Sequence, residues 1–401
     1  MRAAALSDEQ RLDWLQLIRC ENIGPRGFHK LMTRYGSAAA ALAALPAMIR
    51  QGGVEEGAGR RIVIAPRDRA ARELAAAQAL GARYLALGEA GYPEGLLHID
   101  APPPLICLRG DARLFERPVV AVVGARNASG AGLAFAERLS RGLGAAGFVV
   151  VSGLARGIDG CAHKAALATG TIGVLAGGLD RFYPPENAAL IGEVAARGAI
   201  LSEMPLGCEP RGRDFPRRNR LVSGLALGVV VVEAERRSGS LITARFAREQ
   251  GRELFAVPGS PLDPRAEGTN DLLAEGAFMC RAASDVVEKL APLARRGPGA
   301  YGMLAEPGVS YVQPPLWDEY DDAPRAGPEA PPEGGCAPTA QPSAPAEHVE
   351  LLLGPTPLSV DELARVSGRA PSEIRLQLQE LELEDRIERH SGDRVSLRPK
   401  T

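Results

Sequence analysis

Between Arg211 and Arg220 the chain reads Arg-Gly-Arg-Asp-Phe-Pro-Arg-Arg-Asn-Arg, with five arginines, one aspartate and one aromatic in ten residues. Basic groups at that density can follow a phosphate backbone, and a ring among them can stack on a base of any identity. Phe215, Arg217, Arg218, Asn219 and Arg220 are therefore candidate nucleic-acid contacts. A charge run is more often a solvated face, but these arginines flank Phe215-Pro216, outside any clean amphipathic helix. Arg218 or Arg220 could instead brace the fold through a carboxylate such as Glu203 or Glu233.

Three glycine turns carry related chemistry. Gly124-Ala-Arg126-Asn-Ala-Ser129-Gly130 follows an apolar run and opens a helix. Glycine lets the backbone approach an anion, free N–H groups at a helix start favour negative charge, and Arg126 can add a charge-assisted contact. The plain alternative is a strand-to-helix turn with an exposed arginine. Ser152-Gly153-Leu-Ala-Arg156-Gly157-Ile-Asp159 repeats the pattern. Asp159 can cap the helix that follows, and His163 can meet a ligand or pack beneath the loop. Ser238-Gly239-Ser240 opens a third helix, as an anion nest or as a simple N-cap.

The elements that would position these turns are legible as apolar runs. Val119–Val123, Phe148–Val151, Thr171–Leu175, Ala199–Ser202, Val229–Val232 and Leu254–Val257 have the continuous composition of strands buried on both faces. Helical stretches fit between them near 130–145, 158–169, 186–196 and 240–250. That alternation predicts an α/β domain with a doubly wound, mostly parallel sheet. It occupies residues 82–292, and its first part, 82–114, is a connector with short strand candidates. Residues 1–81 predict a small helical domain. Residues 293–346 are a Pro/Ala/Gly-rich linker. Residues 347–401 predict a winged helix: helices near 347–353, 360–366 and 371–384, a two-stranded wing over Arg386–Leu397, and a Ser359/Glu362 capping box.

With 401 residues, 45% of them hydrophobic, the chain has material for several cores. Its net charge of −2 averages over unlike segments. Lys30, Lys164, Lys289 and Lys400 are the only lysines, so positive charge is almost wholly arginine, whose planar fork suits phosphate. The six cysteines form no C-x-x-C pair, which argues against a zinc knuckle and fits a reducing cytosol. Neither a signal peptide nor a membrane span is indicated, so a cytoplasmic protein is expected. The phosphate-binding lysine loop of nucleotide hydrolases is missing, Gly130-Ala-Gly132 leaves the dinucleotide fingerprint incomplete, and no metal-ligand spacing stands out. Neither cofactor nor metal is expected.

In order along the chain come VVGARNAS (122–129), SGLARGID (152–159), AGGLDRFYP (176–184), SEMP (202–205), FPRRNR (215–220), VVEAERRSGSLITA (231–244), FAVPGS (255–260) and GTNDLLAEGA (268–277). This ordered set resembles the DprA/Smf family, the DNA-processing protein A of bacteria, over most of residues 92–280. The resemblance implies an extended Rossmann fold that binds single-stranded DNA. It also implies a homodimer that helps load the RecA recombinase onto incoming DNA in natural transformation, and a protein that is not an enzyme. By motif position it puts DNA contacts at Arg126 and at 215–220, with Gly153, Arg156 and Ser240 on neighbouring turns.

Residues 17–33 resemble half of a helix-hairpin-helix with its turn at Asn22-Ile23-Gly24. In the winged helix, the would-be recognition helix sets Glu373, Glu380, Glu382, Glu384 and Asp385 against Arg375 and Arg386. That acidity suits a protein contact or regulation better than the major groove. The competing expectation for the whole chain is a Rossmann-type enzyme acting on a nucleotide or nucleotide sugar, using the same glycine turns.

Overall fold

Every apolar run read as a strand becomes a strand of one nine-stranded sheet. The computed structural model describes residues 5–50, 62–297, 301, 349–384 and 386–398. They fall into two compact units, residues 1–128 with 132–309 and residues 129–131 with 310–401.

In the first unit the strands are β1 (Ala82–Ala86), β2 (Leu105–Gly110), β3 (Val119–Val123), β4 (Val149–Ser152), β5 (Thr171–Val174), β6 (Ala199–Ser202), β7 (Gly228–Val231), β8 (Glu253–Ala256) and β9 (Phe278–Met279). They lie side by side in the order β1-β2-β6-β5-β4-β3-β7-β8-β9. From β6 across to β9 every pairing is parallel. Strands β3 to β7 are buried along their whole length, which explains their unbroken Val/Ile/Leu/Ala composition. The stretch expected as a connector supplies β1 and β2, which extend the sheet antiparallel from β6. The chain leaves β3 in one direction and returns to its other side as β7. This reversal opens a crevice at the carboxyl ends of the strands, where such sheets hold ligands.

The helices between strands are α5 (Gly130–Ala145), α6 (Ile158–Ala166), α7 (Ala188–Arg197), α8 (Asp214–Leu225), α9 (Gly239–Glu249), α10 (Pro264–Ala274) and α11 (Ala283–Ala294). Helix α8 corrects an expectation, because the arginine-rich segment from Asp214 to Arg220 is its first half. Pro216 sits in the first turn, where the amide it lacks would have had no partner within the helix. Burial alternates along 214–220, so no amphipathic stripe marks the helix.

The N-terminal helices α1 (Asp8–Ile18), α2 (Pro25–Tyr35), α3 (Ala38–Arg50) and α4 (Arg67–Ala79) belong to the same unit as the sheet. Leu15, Ala70 and Ala77 share a buried cluster with Ala82 and Tyr84 of β1 and with Ile191 and Val194 of α7. Helix α11 runs to Ala294, and Tyr301 is buried, its hydroxyl donating to the Leu225 carbonyl at 3.1 Å. Apart from 293–297 and 301, the 293–346 stretch, Cys336 included, lies outside the described residues.

The second unit has helices Val349–Leu352, Val360–Ser367 and Pro371–Leu383. Strands Ile387–His390 and Arg394–Leu397 form the expected wing, and Leu358–Ser359 adds a third strand beside Arg394–Leu397. The Ser359/Glu362 capping box is formed as read. Among the described residues no helix is long and apolar enough to cross a membrane.

His163 packs beneath the β4 turn, fully buried, with Nδ1 at 2.7 Å from the Thr171 hydroxyl. Burial pushes its pKa down to about 3, and the Arg218 charge acts in the same direction. The unfolded chain takes up that proton near pH 6.5, so stability falls as pH drops from there towards 3, by up to about 1.4 kcal/mol per unit. His163→Gln is expected to flatten the acid limb of a urea-midpoint-against-pH curve by close to one proton.

Candidate nucleic-acid interface

Helix α8 lies at the carboxyl ends of β4 and β5, and burial alternates along its first residues. Asp214, Pro216, Arg218 and Arg220 are buried, while Phe215, Arg217 and Asn219 are partly exposed. The Asp214 carboxylate accepts the Arg211 amide at 2.8 Å and closes the turn that leads into the helix.

The two inward arginines are braces. Arg218, 6% exposed, donates through Nη1 to the carbonyl of Gly153 and to that of Val174 at 2.7 Å. It thereby ties α8 to the ends of β4 and β5. Burial lowers its pKa to about 10; the nearby Asp159 carboxylate opposes that shift and Arg126 adds to it. Arg220 is ion-paired with Glu203 and donates to the Ala101 carbonyl at 3.1 Å. Glu203 is one of the two carboxylates the sequence offered as bracing partners. Asn219 is also engaged, its amide reaching the Gly239 carbonyl at 3.2 Å and joining α8 to the start of α9.

On the outward side, the Arg126 guanidinium lies 5.1 Å from the Phe215 ring centroid, within range of a cation–π contact. Tyr183, 45% exposed, tilts against the same ring at 5.8 Å. Between them opens a cleft of about 100 Å3 lined by Arg126, Gly153, Ala155, Arg156, Tyr183, Pro184, Pro185, Glu186 and Phe215. Pockets that enclose small ligands commonly run to roughly 300–1,000 Å3, so this one can seat a phosphate or the edge of a base but cannot close around a nucleotide. Arg156 stands at the rim, 3.8 Å from Glu186, with both side chains largely exposed.

The structure therefore brings together Arg126, Gly153, Arg156 and Phe215 from the β3 turn, the β4 turn and α8. Tyr183 went unnoticed in the sequence. Its one signal was an aromatic in the turn after β5, the strand next to β4.

The backbone turns are less open than their glycines suggested. Gly157, at φ 72°, presses on the β3 turn so closely that a Cβ would overlap the carbonyl of Ala125, and the Ile158 amide donates to that carbonyl at 3.2 Å. Asp159 accepts the amides of Gly153 at 3.1 Å and Ala155 at 3.4 Å. Burial raises its pKa, while Arg218 and these amides pull the other way. At α5 the Glu233 carboxylate lies against the first turn at Gly132, so the helix start read as an anion site holds one of the chain's own acids. Gly124 and Ser129 lead into that same turn. Ser238 accepts the Ser240 amide at 3.3 Å as the N-cap of α9, and Ser238, Gly239 and Ser240 do not line the cleft. Gly153 must lack a side chain, because a Cβ there would overlap the Arg218 guanidinium. Among the described residues no group of His, Cys, Asp and Glu is arranged to hold a metal ion.

Three stretches match described families. Residues 83–291 match DNA recombination-mediator protein A, residues 8–76 a DprA-like N-terminal HHH domain, and residues 329–393 a DprA winged helix domain. The DNA processing protein DprA of Bacillus subtilis (strain 168) is 43% identical over 222 residues, which is 55% of this chain and 75% of that protein. Protein Smf of Escherichia coli (strain K12) is 36% identical over 310 residues, 77% of this chain and 75% of that one. The X-ray structure of DprA from Streptococcus pneumoniae superposes with a TM-score of 0.54 at 34% identity, covering 67% of this chain and 98% of that chain.

The contact between the β3 and β4 turns can be tested directly. Gly157→Ala places a Cβ at positive φ and against a backbone carbonyl, and is expected to cost roughly 2–4 kcal/mol in urea unfolding. Gly239→Ala, with open space around it, is expected to stay within about 0.5 kcal/mol of the parent.

Proposed function

The chain belongs to the DNA recombination-mediator protein A family, and on that premise we propose that it binds single-stranded DNA across the carboxyl ends of its parallel strands. The observation that carries this reading is the Arg126–Phe215 pair at the mouth of an open cleft. Arg126 and Arg156 meet successive phosphates as charge-assisted donors. Phe215, backed by Tyr183, offers a face on which a base stacks whatever its identity. Arg217, partly exposed on α8, adds a further positive charge to the helix that carries Phe215. Arg218, Arg220 and Asn219 serve the site by holding α8, and the glycines and Ser238–Ser240 serve it by shaping its turns.

The family resemblance extends this to a mediator that loads RecA recombinase onto incoming DNA in natural transformation, working as a homodimer in the cytoplasm. Its role is binding rather than catalysis. His163 is sealed in the core and Asp159 is bound to backbone amides, so neither is placed for proton transfer with a substrate. A nucleotide-processing enzyme would need both a larger enclosed site and such a group, which makes it the weaker reading. Helix Pro371–Leu383 carries Glu373, Glu380 and Glu382 against Arg375, an acidic excess that disfavours the DNA backbone and supports a protein-contact role for the winged helix.

Titration of a labelled oligothymidylate over a salt series, with duplex as competitor, tests the reading. Arg126→Ala is expected to weaken binding and to lower the salt slope by about 0.7, one phosphate contact's worth. Phe215→Ala is expected to cost about 1–3 kcal/mol with the slope unchanged, as befits lost stacking. A preference for duplex, or parental affinity in both variants, would overturn the assignment.

A further inference from the structure

A buried polar chain leads from the N-terminal helices to the start of α8. Glu73 on α4 is 8% exposed, and its Oε1 accepts the Tyr84 hydroxyl at 2.6 Å, Arg19 Nη2 at 2.9 Å and the Leu206 amide at 3.3 Å. Arg19, which follows α1, donates through Nη1 to the Glu203 carbonyl at 3.3 Å. The Glu203 carboxylate in turn holds Arg220 on α8. Glu203 and Leu206 lie at the beginning of the 203–213 segment, which carries the chain from β6 to the helix bearing Phe215 and Arg217.

Joining the helical layer to the sheet does not require these charges. Leu15, Ala70 and Ala77 already pack there, and a buried ion pair adds little stability over a well-packed apolar contact. What hydrogen-bonded charges add is direction. One carboxylate and one guanidinium each fix a particular backbone group of the 203–213 segment.

We propose that Arg19 and Glu73 are positioning residues for the nucleic-acid site: through the Glu203 carbonyl and the Leu206 amide they set the segment that delivers Phe215 to the cleft. The N-terminal helices would thus tune single-strand affinity without touching DNA. The inference rests on the single-strand reading above.

The test uses the full chain, a labelled oligothymidylate, a salt series, and amide hydrogen exchange. Glu73→Gln removes the charge at nearly constant shape. Arg19→Lys keeps a cation beside Glu73 but loses the planar fork that also reaches Glu203. In each folded variant affinity is expected to fall roughly ten-fold, the scale of a lost hydrogen bond to a charged group. The salt slope is expected to stay parental, and exchange to quicken across 203–213 but not in β3–β5. If Glu73→Gln does not fold, Arg19→Lys decides. Parental affinity in the folded variants while the parent binds sinks this inference alone, as does weaker binding without faster exchange in 203–213. No binding by the parent sinks the single-strand reading and this inference with it.

Discussion

The site depends on one buried cation. Arg218 reaches from α8 into the sheet and donates to carbonyls at the ends of β4 and β5. A guanidinium so deep in the fold is costly to desolvate, and burial lowers its pKa accordingly. The neighbourhood is arranged to tolerate it: two carbonyls accept its protons, Asp159 opposes its charge, and Gly153 leaves room for its plane. Once Arg218 is seated, the helix has one orientation. Phe215, three residues earlier, comes to rest 6.0 Å from the same guanidinium and 5.1 Å from that of Arg126.

The buried and the partly exposed residues of α8 divide labour by solvation. Inward arginines find carbonyls and a carboxylate and act as braces. Phe215, Arg217 and Asn219 are partly exposed and keep access to water. The helix starts behave in a complementary way: α5 has Glu233 against its first turn, α6 gives its first amide to Ala125, and α9 is capped by Ser238. Backbone amides that could have cradled a nucleotide's phosphates are largely engaged within the protein. What faces solvent is a shallow surface of guanidinium groups and rings, better matched to an extended polyanion with stacked bases than to a compact nucleotide.

The N-terminal helices enter the same logic. Their apolar faces continue the core under β1 and α7, and their buried charges reach the segment before α8. Packing and hydrogen bonds therefore join the helical layer to the sheet and to the segment that leads into α8. A winged helix with internally paired charges forms a separate unit.

By itself the sequence determined the strands, because continuous apolar runs admit few alternatives to burial on both faces. It determined most of the connecting helices, the Ser359/Glu362 cap and the family, because these depend on neighbours along the chain or on ordered motifs. It also marked Arg126, Arg156 and Phe215, which the fold gathers at one cleft. Only the tertiary structure decided which arginines turn inward. Arg217 and Arg218 are adjacent and chemically identical, and their fates differ because one faces the ends of β4 and β5 while the other faces outward. Helix α8 was illegible because its buried face carries arginines, which hydrophobic periodicity cannot register. The engaged state of the helix starts, the place of Tyr183 beside Phe215, and the reach of Arg19 to residue 203 all join groups far apart in the chain. Such contacts are set by packing distance, which spacing along a sequence does not encode.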